Sequence, residues 1–130
     1  MKNITSILLL SFFLILSGCA GNNKKGLRFE STMRSYEQVI RWGDLEKANG
    51  FLKEPADFSL ERHKKLKNIQ VNGYYVLSRT VTRDGIEQVV EIKYTKDASV
   101  VVHTLTDVQK WVYDEDDGRW YLTSKIPDFK

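Results

Sequence analysis

The chain has 130 residues, of which 42% are hydrophobic and 12% aromatic. This length suits one domain, and the apolar content is high enough to bury a core, which excludes a wholly disordered chain. The 20 basic and 17 acidic residues leave a net charge of +3, too small an excess to indicate a nucleic-acid partner. The one cysteine excludes a framework of internal disulfide bonds.

The first residues have the pattern of an export signal. Lys2 provides a positive charge, and residues 7–16 (ILLLSFFLIL) form an apolar run. That run is too short to cross a bilayer as a helix, whereas it has the length of the apolar part of a signal peptide. We therefore predict a signal peptide over residues 1–18.

The apolar run ends in Leu16-Ser17-Gly18-Cys19, which resembles the lipobox of bacterial lipoproteins. Small side chains let the extended backbone enter a peptidase site, and the thiol is the nucleophile that accepts a diacylglyceryl group. The resemblance implies cleavage before Cys19, a thioether-linked lipid and, usually, acylation of the new amino terminus. The alternatives are an ordinary secretory signal with an accidental cysteine and an uncleaved membrane anchor.

The residues behind Cys19 predict where the protein resides. Ala20 follows the cysteine in place of an aspartate, so the resemblance implies the bacterial outer membrane, with the domain facing the periplasm; the inner membrane and the cell surface remain alternatives. Residues 20–26 (AGNNKKG) are small, polar and basic, which is typical of a linker. We predict a lipidated cysteine and flexible tether over residues 19–27 and a single domain over residues 28–130.

The first half of the domain has a helical pattern. Apolar residues recur at spacings of three and four and share one helical face; they are Phe29, Met33, Tyr36, Val39 and Ile40. Asp44 is suited to cap a second helix, which Pro55 ends, and Ser59 is suited to cap a third. The third helix is strongly basic over residues 62–67. Those charges either are simply solvated or meet lipid headgroups, an anionic polysaccharide or an acidic partner.

The second half has a strand pattern. Residues 71–82 and 86–96 flank a turn at residues 83–85 (RDG), while residues 99–113 and 119–124 flank a second turn. Helices that precede a run of strands indicate an α+β domain. We predict about three N-terminal helices packed on a curved, four-stranded antiparallel sheet.

Two stretches carry a resemblance to a known superfamily. RWGDLEKANGFL at residues 41–52 and TLTDVQKWVYDEDDGRWYL at residues 104–122 resemble the nuclear-transport-factor-two-like superfamily, and in particular its small uncharacterised envelope members. The resemblance spans residues 29–126 and implies a cystatin-like α+β cone. It implies no single activity, because this fold hosts isomerases, dehydratases, transport factors and accessory domains.

One strand carries the candidate catalytic residues. His103 and Asp107 share a face of residues 99–113 with Trp111, where burial would shift their pKa values toward a useful range. The candidate ligand-binding residues are the aromatic side chains Tyr74, Trp111, Tyr113 and Trp120, for which ordinary core packing is the alternative. Trp111 and Trp120 are expected to face each other across the last hairpin.

No cofactor or metal is expected. Two histidines and one lipidated cysteine do not make a zinc cluster, and residues 114–117 (DEDD) lack the spacing of a calcium loop. The favoured function is a lipid-anchored envelope lipoprotein whose non-catalytic binding or accessory domain takes a small apolar ligand or a partner protein. The alternative is a small cone-type enzyme, isomerase-like or dehydratase-like, that uses His103 and Asp107.

Overall fold

A computed structural model describes residues 20–42, 44–56 and 60–130. The predicted signal peptide, Cys19 and the predicted cap Ser59 lie outside the described residues. The described elements, in chain order, are α1 (Ala20–Arg41), α2 (Leu45–Ala48), a 3-10 turn (Asn49–Phe51), α3 (Leu60–Lys67), β1 (Ile69–Val81), β2 (Ile86–Lys96), β3 (His103–Asp114) and β4 (Arg119–Leu122). This order confirms the predicted α+β class.

The four strands form one antiparallel sheet in the order β1-β2-β3-β4. The hairpin turn at residues 83–85 lies where the sequence predicts it. The third strand, however, begins at His103 rather than at residue 99. Asp97 and Ala98 both have positive φ, 52° and 56°, and this left-handed turn takes the following residues out of the pairing with β2.

The core lies between one face of α1 and the inner face of the sheet. The residues of α1 that it buries follow the predicted spacing; they are Phe29, Met33, Tyr36 and Ile40, with Val39 partly buried. They share one hydrophobic cluster with Val90 and Ile92 of β2 and Trp111 of β3. Within the described residues, no helix is both long and apolar enough to cross a membrane.

The structure differs from the predicted flexible tether, because α1 begins at Ala20 and includes residues 20–26. The last hairpin contacts this first part of α1 at Lys25. The carbonyl of Lys25 accepts a hydrogen bond from Trp120 Nε1 at 3.1 Å, and the Lys25 ammonium pairs with Glu115 and lies 4.8 Å from the Tyr113 ring centroid. Contacts made about 90 residues away in sequence thus outweigh the low helix propensity of a glycine-rich and asparagine-rich segment.

Two further details differ from expectation. Asp44 occupies the N-cap position of α2, but its side chain makes no capping hydrogen bond; it pairs with Lys47 Nζ at 2.6 Å instead. Trp111 and Trp120 do not face each other, because the turn at residues 115–118 pairs Asp114 with Arg119. That register places Trp120 opposite Tyr113, with ring centroids 5.4 Å apart.

The turn between β1 and β2 makes a close approach that predicts a strong substitution effect. A Cβ atom at Gly85 would lie 1.9 Å from the carbonyl oxygen of Trp111, so Gly85→Ala must displace backbone. We expect it to lower the free energy of unfolding by about 1–3 kcal/mol in urea denaturation.

Gly26→Ala is the matched control. Its added Cβ has no neighbour within 4 Å, and alanine stabilises a helix interior by about 0.5–1 kcal/mol relative to glycine. Equal losses in the two variants would contradict both the close approach at Gly85 and the helical state of Gly26.

Candidate functional site

The inner face of β3 carries the polar residues of the candidate site. Asp107, Gln109 and Trp111 are buried, whereas the intervening Val108 and Lys110 are exposed. The alternation follows from the two-residue repeat of a strand. Asp107 therefore lies on the side of the sheet that packs against the helices.

Gln109 is the centre of a buried hydrogen-bond network. Its Nε2 donates to the Tyr74 hydroxyl at 2.9 Å and to Asp107 Oδ2 at 2.8 Å. Its Oε1 accepts from Trp111 Nε1 and from Gln88 Nε2, both at 3.2 Å. All four hydrogen-bonding positions of the amide are thus used.

The network extends to the edge of the sheet and to α1. Gln88 Oε1 accepts hydrogen bonds from Arg79 Nε at 2.9 Å and from Arg79 Nη2 at 2.7 Å. The remaining arm of Arg79 pairs with Glu30 of α1 at 2.5 Å, and its guanidinium carbon lies 4.9 Å from the Phe29 ring centroid. One chain of polar contacts therefore joins β1, β2, β3 and α1.

Asp107 is the only buried carboxyl group among the described residues. Burial raises the pKa of Asp107 to about 6, and the hydrogen bond from Gln109 opposes part of that rise. The neighbouring phenols stay protonated, because burial, with a smaller contribution from the charge of Asp107, raises the pKa of both Tyr36 and Tyr74. The Tyr36 hydroxyl has no hydrogen-bond partner among the described residues.

A groove of about 1080 Å³ opens beside the network. One wall is formed by residues 105–108 of β3, and the others by residues 122–128 with Lys130 and by residues 52–56 without Pro55; Arg62 of α3 also contributes. Asp107 is the network residue that lines this groove. It therefore connects the polar interior to a surface that a ligand can reach.

The structure does not bring His103 and Asp107 together. They are four residues apart on one extended strand, a separation of about 13 Å at ~3.3 Å per residue. The His103 ring stacks on Tyr94, with centroids 5.3 Å apart, and His103 does not line the groove. Strand parity correctly indicates a shared face, but it carries no information about distance along the strand.

The four candidate ligand-binding aromatics lie in or against the core. Tyr74, Trp111 and Trp120 are buried and Tyr113 is partly buried against them. None of the four lines the groove. Their positions agree with ordinary core packing, the alternative that the sequence leaves open.

Sequence reasoning did not identify Gln88 and Gln109 as members of the site. The available signal was an amide at an inward position of β2 and another of β3. Gln88 lies two residues before the buried Val90, and Gln109 lies two residues before the buried Trp111. The described residues contain no group of three potential metal ligands. In the acidic turn, Asp114 Oδ1 instead accepts hydrogen bonds from the backbone N–H groups of Asp116 and Asp117.

The sequence matches no family model, and neither a curated protein nor a solved structure is significantly similar to it.

Chemically, the site offers one carboxyl group whose pKa of about 6 lets it exchange a proton near neutral pH. Gln109 Nε2 donates a hydrogen bond to this group at the wall of the groove. This arrangement suits binding better than catalysis by a pair of acid and base residues, because His103 lies too far along β3 to share a proton with Asp107.

Gln109→Ala tests the network. The substitution removes four hydrogen bonds at once and leaves Trp111 Nε1 and Asp107 buried with fewer partners. We expect a loss of about 3 kcal/mol or more in the free energy of unfolding. Lys110→Ala, a change at the exposed neighbouring position, should cost less than about 0.5 kcal/mol; similar losses would show that the network does not stabilise the fold.

Asp107→Asn tests the buried carboxyl through the pH dependence of stability. The unfolded chain releases this proton near pH 3.8, whereas the folded chain holds it to about pH 6. The contribution of protonated Asp107 to stability is therefore fully present below pH 3.8, and it is lost as the pH rises from 3.8 to about 6. Asparagine carries no charge, so above pH 7 the free energy of unfolding of the variant should be about 3 kcal/mol higher than that of the wild type.

That difference should shrink toward zero near pH 4. The exposed Asp116→Asn, which removes a carboxyl group outside the buried network, serves as the control in the same urea titrations. A constant difference between Asp107→Asn and the wild type from pH 4 to pH 8 would rule out a raised pKa at Asp107.

Proposed function

We propose that this chain is a lipid-anchored lipoprotein of the bacterial envelope whose domain is a non-catalytic binding or accessory module. The observation that carries the anchor is Leu16-Ser17-Gly18-Cys19 placed directly behind the apolar run of residues 7–16. Each methylene buried in the bilayer contributes about 0.8 kcal/mol, so the two or three acyl chains on Cys19 would hold the protein firmly.

The proposed location is the outer membrane, with the domain facing the periplasm. Its support is Ala20, which stands where an aspartate would favour the inner membrane. α1 begins at Ala20, the residue after Cys19, so a lipid on Cys19 would lie close to the start of this helix. The turn that carries Glu115, which pairs with Lys25, would lie at the membrane end of the domain.

For the domain, we propose a cystatin-like cone in which the helices pack on one face of a curved sheet. The space between α1 and the sheet is occupied by aromatic side chains: the Tyr36 ring centroid lies 5.1 Å from that of Trp111 and 5.2 Å from that of Phe51. This filling supports a partner protein over a small apolar ligand held inside the cone. The groove beside Asp107, of about 1080 Å³, is a concave surface that such a partner can reach.

A small isomerase-like or dehydratase-like enzyme is the second candidate. The observation in its favour is the pKa of about 6 at Asp107, which lines the groove and suits a general base. An enzyme of this kind needs a second polar group beside the reacting atoms, and His103 instead stacks on Tyr94. The accessory module is therefore the better supported of the two.

The anchor is tested by expressing the full chain in a bacterial host fed with an alkyne-bearing fatty acid. The wild type should incorporate the label and enter the membrane fraction, and mass spectrometry should place the acyl chains on Cys19. Cys19→Ser should lose the label, because a hydroxyl does not replace the thiol nucleophile. Ser17→Ala, which keeps a small residue in the motif, should be labelled like the wild type.

Two results would refute the anchor. One is equal labelling of the wild type and Cys19→Ser. The other is a mature protein whose amino terminus lies at a residue other than Cys19.

A further inference from the structure

The strand β3 has an edge that β4 covers only in part. β4 has four residues and pairs with β3 between Trp111 and Asp114. β3 itself continues back to His103 and pairs with β2 from His103 to Trp111. Between His103 and Lys110, the side of β3 that faces away from β2 therefore has no neighbouring strand among the described residues.

The backbone groups on this side can be identified from Lys110. Its carbonyl accepts a hydrogen bond from the N–H of Thr123 at 2.8 Å, and its N–H donates to Ser124 Oγ at 3.1 Å. Both groups of Lys110 thus point away from β2. Because backbone groups alternate in direction along a strand, those of Val108, Thr106 and Thr104 point the same way.

These three residues leave up to six hydrogen-bonding groups in a row. No residue in the described part of the chain forms a hydrogen bond with the outward N–H or C=O of Thr104, Thr106 or Val108. Such a row is complementary to one kind of occupant, an extended polypeptide, since only a strand offers donors and acceptors at the same repeat.

The edge also lies in a concave surface. Thr106 and Val108 line the groove of about 1080 Å³, and Leu105, Leu122 and Ile126 give it apolar walls. Those walls can receive the alternate side chains of an added strand.

The outer edge of β1 differs from this edge of β3. Register shifts interrupt the pairing of β1 with β2 between Val71 and Gly73 and between Val76 and Ser78, and such bulges hinder strand addition. The pairing of β3 with β2 is continuous from His103 to Trp111. Of these two edges, the one on β3 is therefore the straight edge that lies inside a groove.

We propose that the free edge of β3 binds an extended segment of a partner protein as an added strand. The proposal deepens the accessory role above and rests on it, because it names the site and the class of partner. Lys125 and Lys130 line the groove and form no ion pair within the described residues. An acidic residue in the bound segment would pair with them.

The test removes one edge N–H and nothing from the ladder with β2. Thr106→Pro deletes the outward N–H, and proline is tolerated where a strand edge faces solvent. Thr106→Ala is the matched control, because it loses the same side chain and keeps the N–H. All three full-length chains are purified in detergent, and their thermal unfolding is compared first.

The probe is a phage-displayed library of random peptides selected on the wild-type chain. The selected peptides should bind Thr106→Ala about as tightly as the wild type and Thr106→Pro about tenfold more weakly. Hydrogen exchange at the amides of Thr106 and Val108 should slow when the wild type binds a selected peptide. If Thr106→Pro does not fold, the exchange measurement on the wild type decides alone.

Several outcomes would overturn the proposal: no peptide enriched over an uncoated surface, equal binding to all three chains, or exchange protection confined to β1 or to another surface. A concentration-dependent dimer that Thr106→Pro abolishes and Thr106→Ala retains would show that the occupant is a second copy of this chain. Fatty-acid labelling at Cys19 is independent of these results, so failure of the edge and failure of the anchor are distinguishable.

Discussion

The side-chain amide of Gln109 is the interaction on which the rest of the structure depends. A polar group removed from water must find partners, or it costs the fold about 1–3 kcal/mol. Gln109 uses both donors and both acceptor positions, and its partners lie on three different strands: Tyr74 on β1, Gln88 on β2, and Asp107 and Trp111 on β3. A one-residue slip between the strands would turn these side chains to opposite faces and break the contacts, so the amide favours the observed register.

The same network explains why Asp107 tolerates its position. Burial destabilises the ionised form of Asp107, and the hydrogen bond from Gln109 offsets only part of this effect. The pKa of Asp107 is therefore raised to about 6. Asp107 lowers stability at neutral pH and lines a groove, and this combination is typical of a residue with a functional role. In the proposed arrangement, the anchor lies near the turn at residues 115–118, and the free edge at Thr106 lies about 26 Å further along β3 at ~3.3 Å per residue. In that arrangement, the free edge would lie at the end of β3 that is farther from the membrane.

Local patterns predicted much of the fold because they depend on neighbours close in sequence. The spacing of Phe29, Met33, Tyr36 and Ile40 marks the buried face of α1, and the turn at residues 83–85 marks the first hairpin. The differences arise where distant contacts decide. Residues 20–26 have a linker composition, yet they are helical in the structure, where Lys25 contacts Trp120 and Glu115. Asp44 has the chemistry of a cap, yet its carboxylate turns to Lys47.

By itself, the sequence determined the order of helices and strands and the face of β3 on which Asp107, Gln109 and Trp111 lie, because a strand repeats every two residues whatever surrounds it. Only the tertiary structure decided which inward polar groups meet. Gln88 reaches Gln109 because β2 and β3 pair at those two residues, whereas His103 and Asp107 share a face without meeting. It also decided that β4 ends early and leaves the edge of β3 open. Register and strand length across a sheet are set by contacts between distant residues, and no local repeat encodes them.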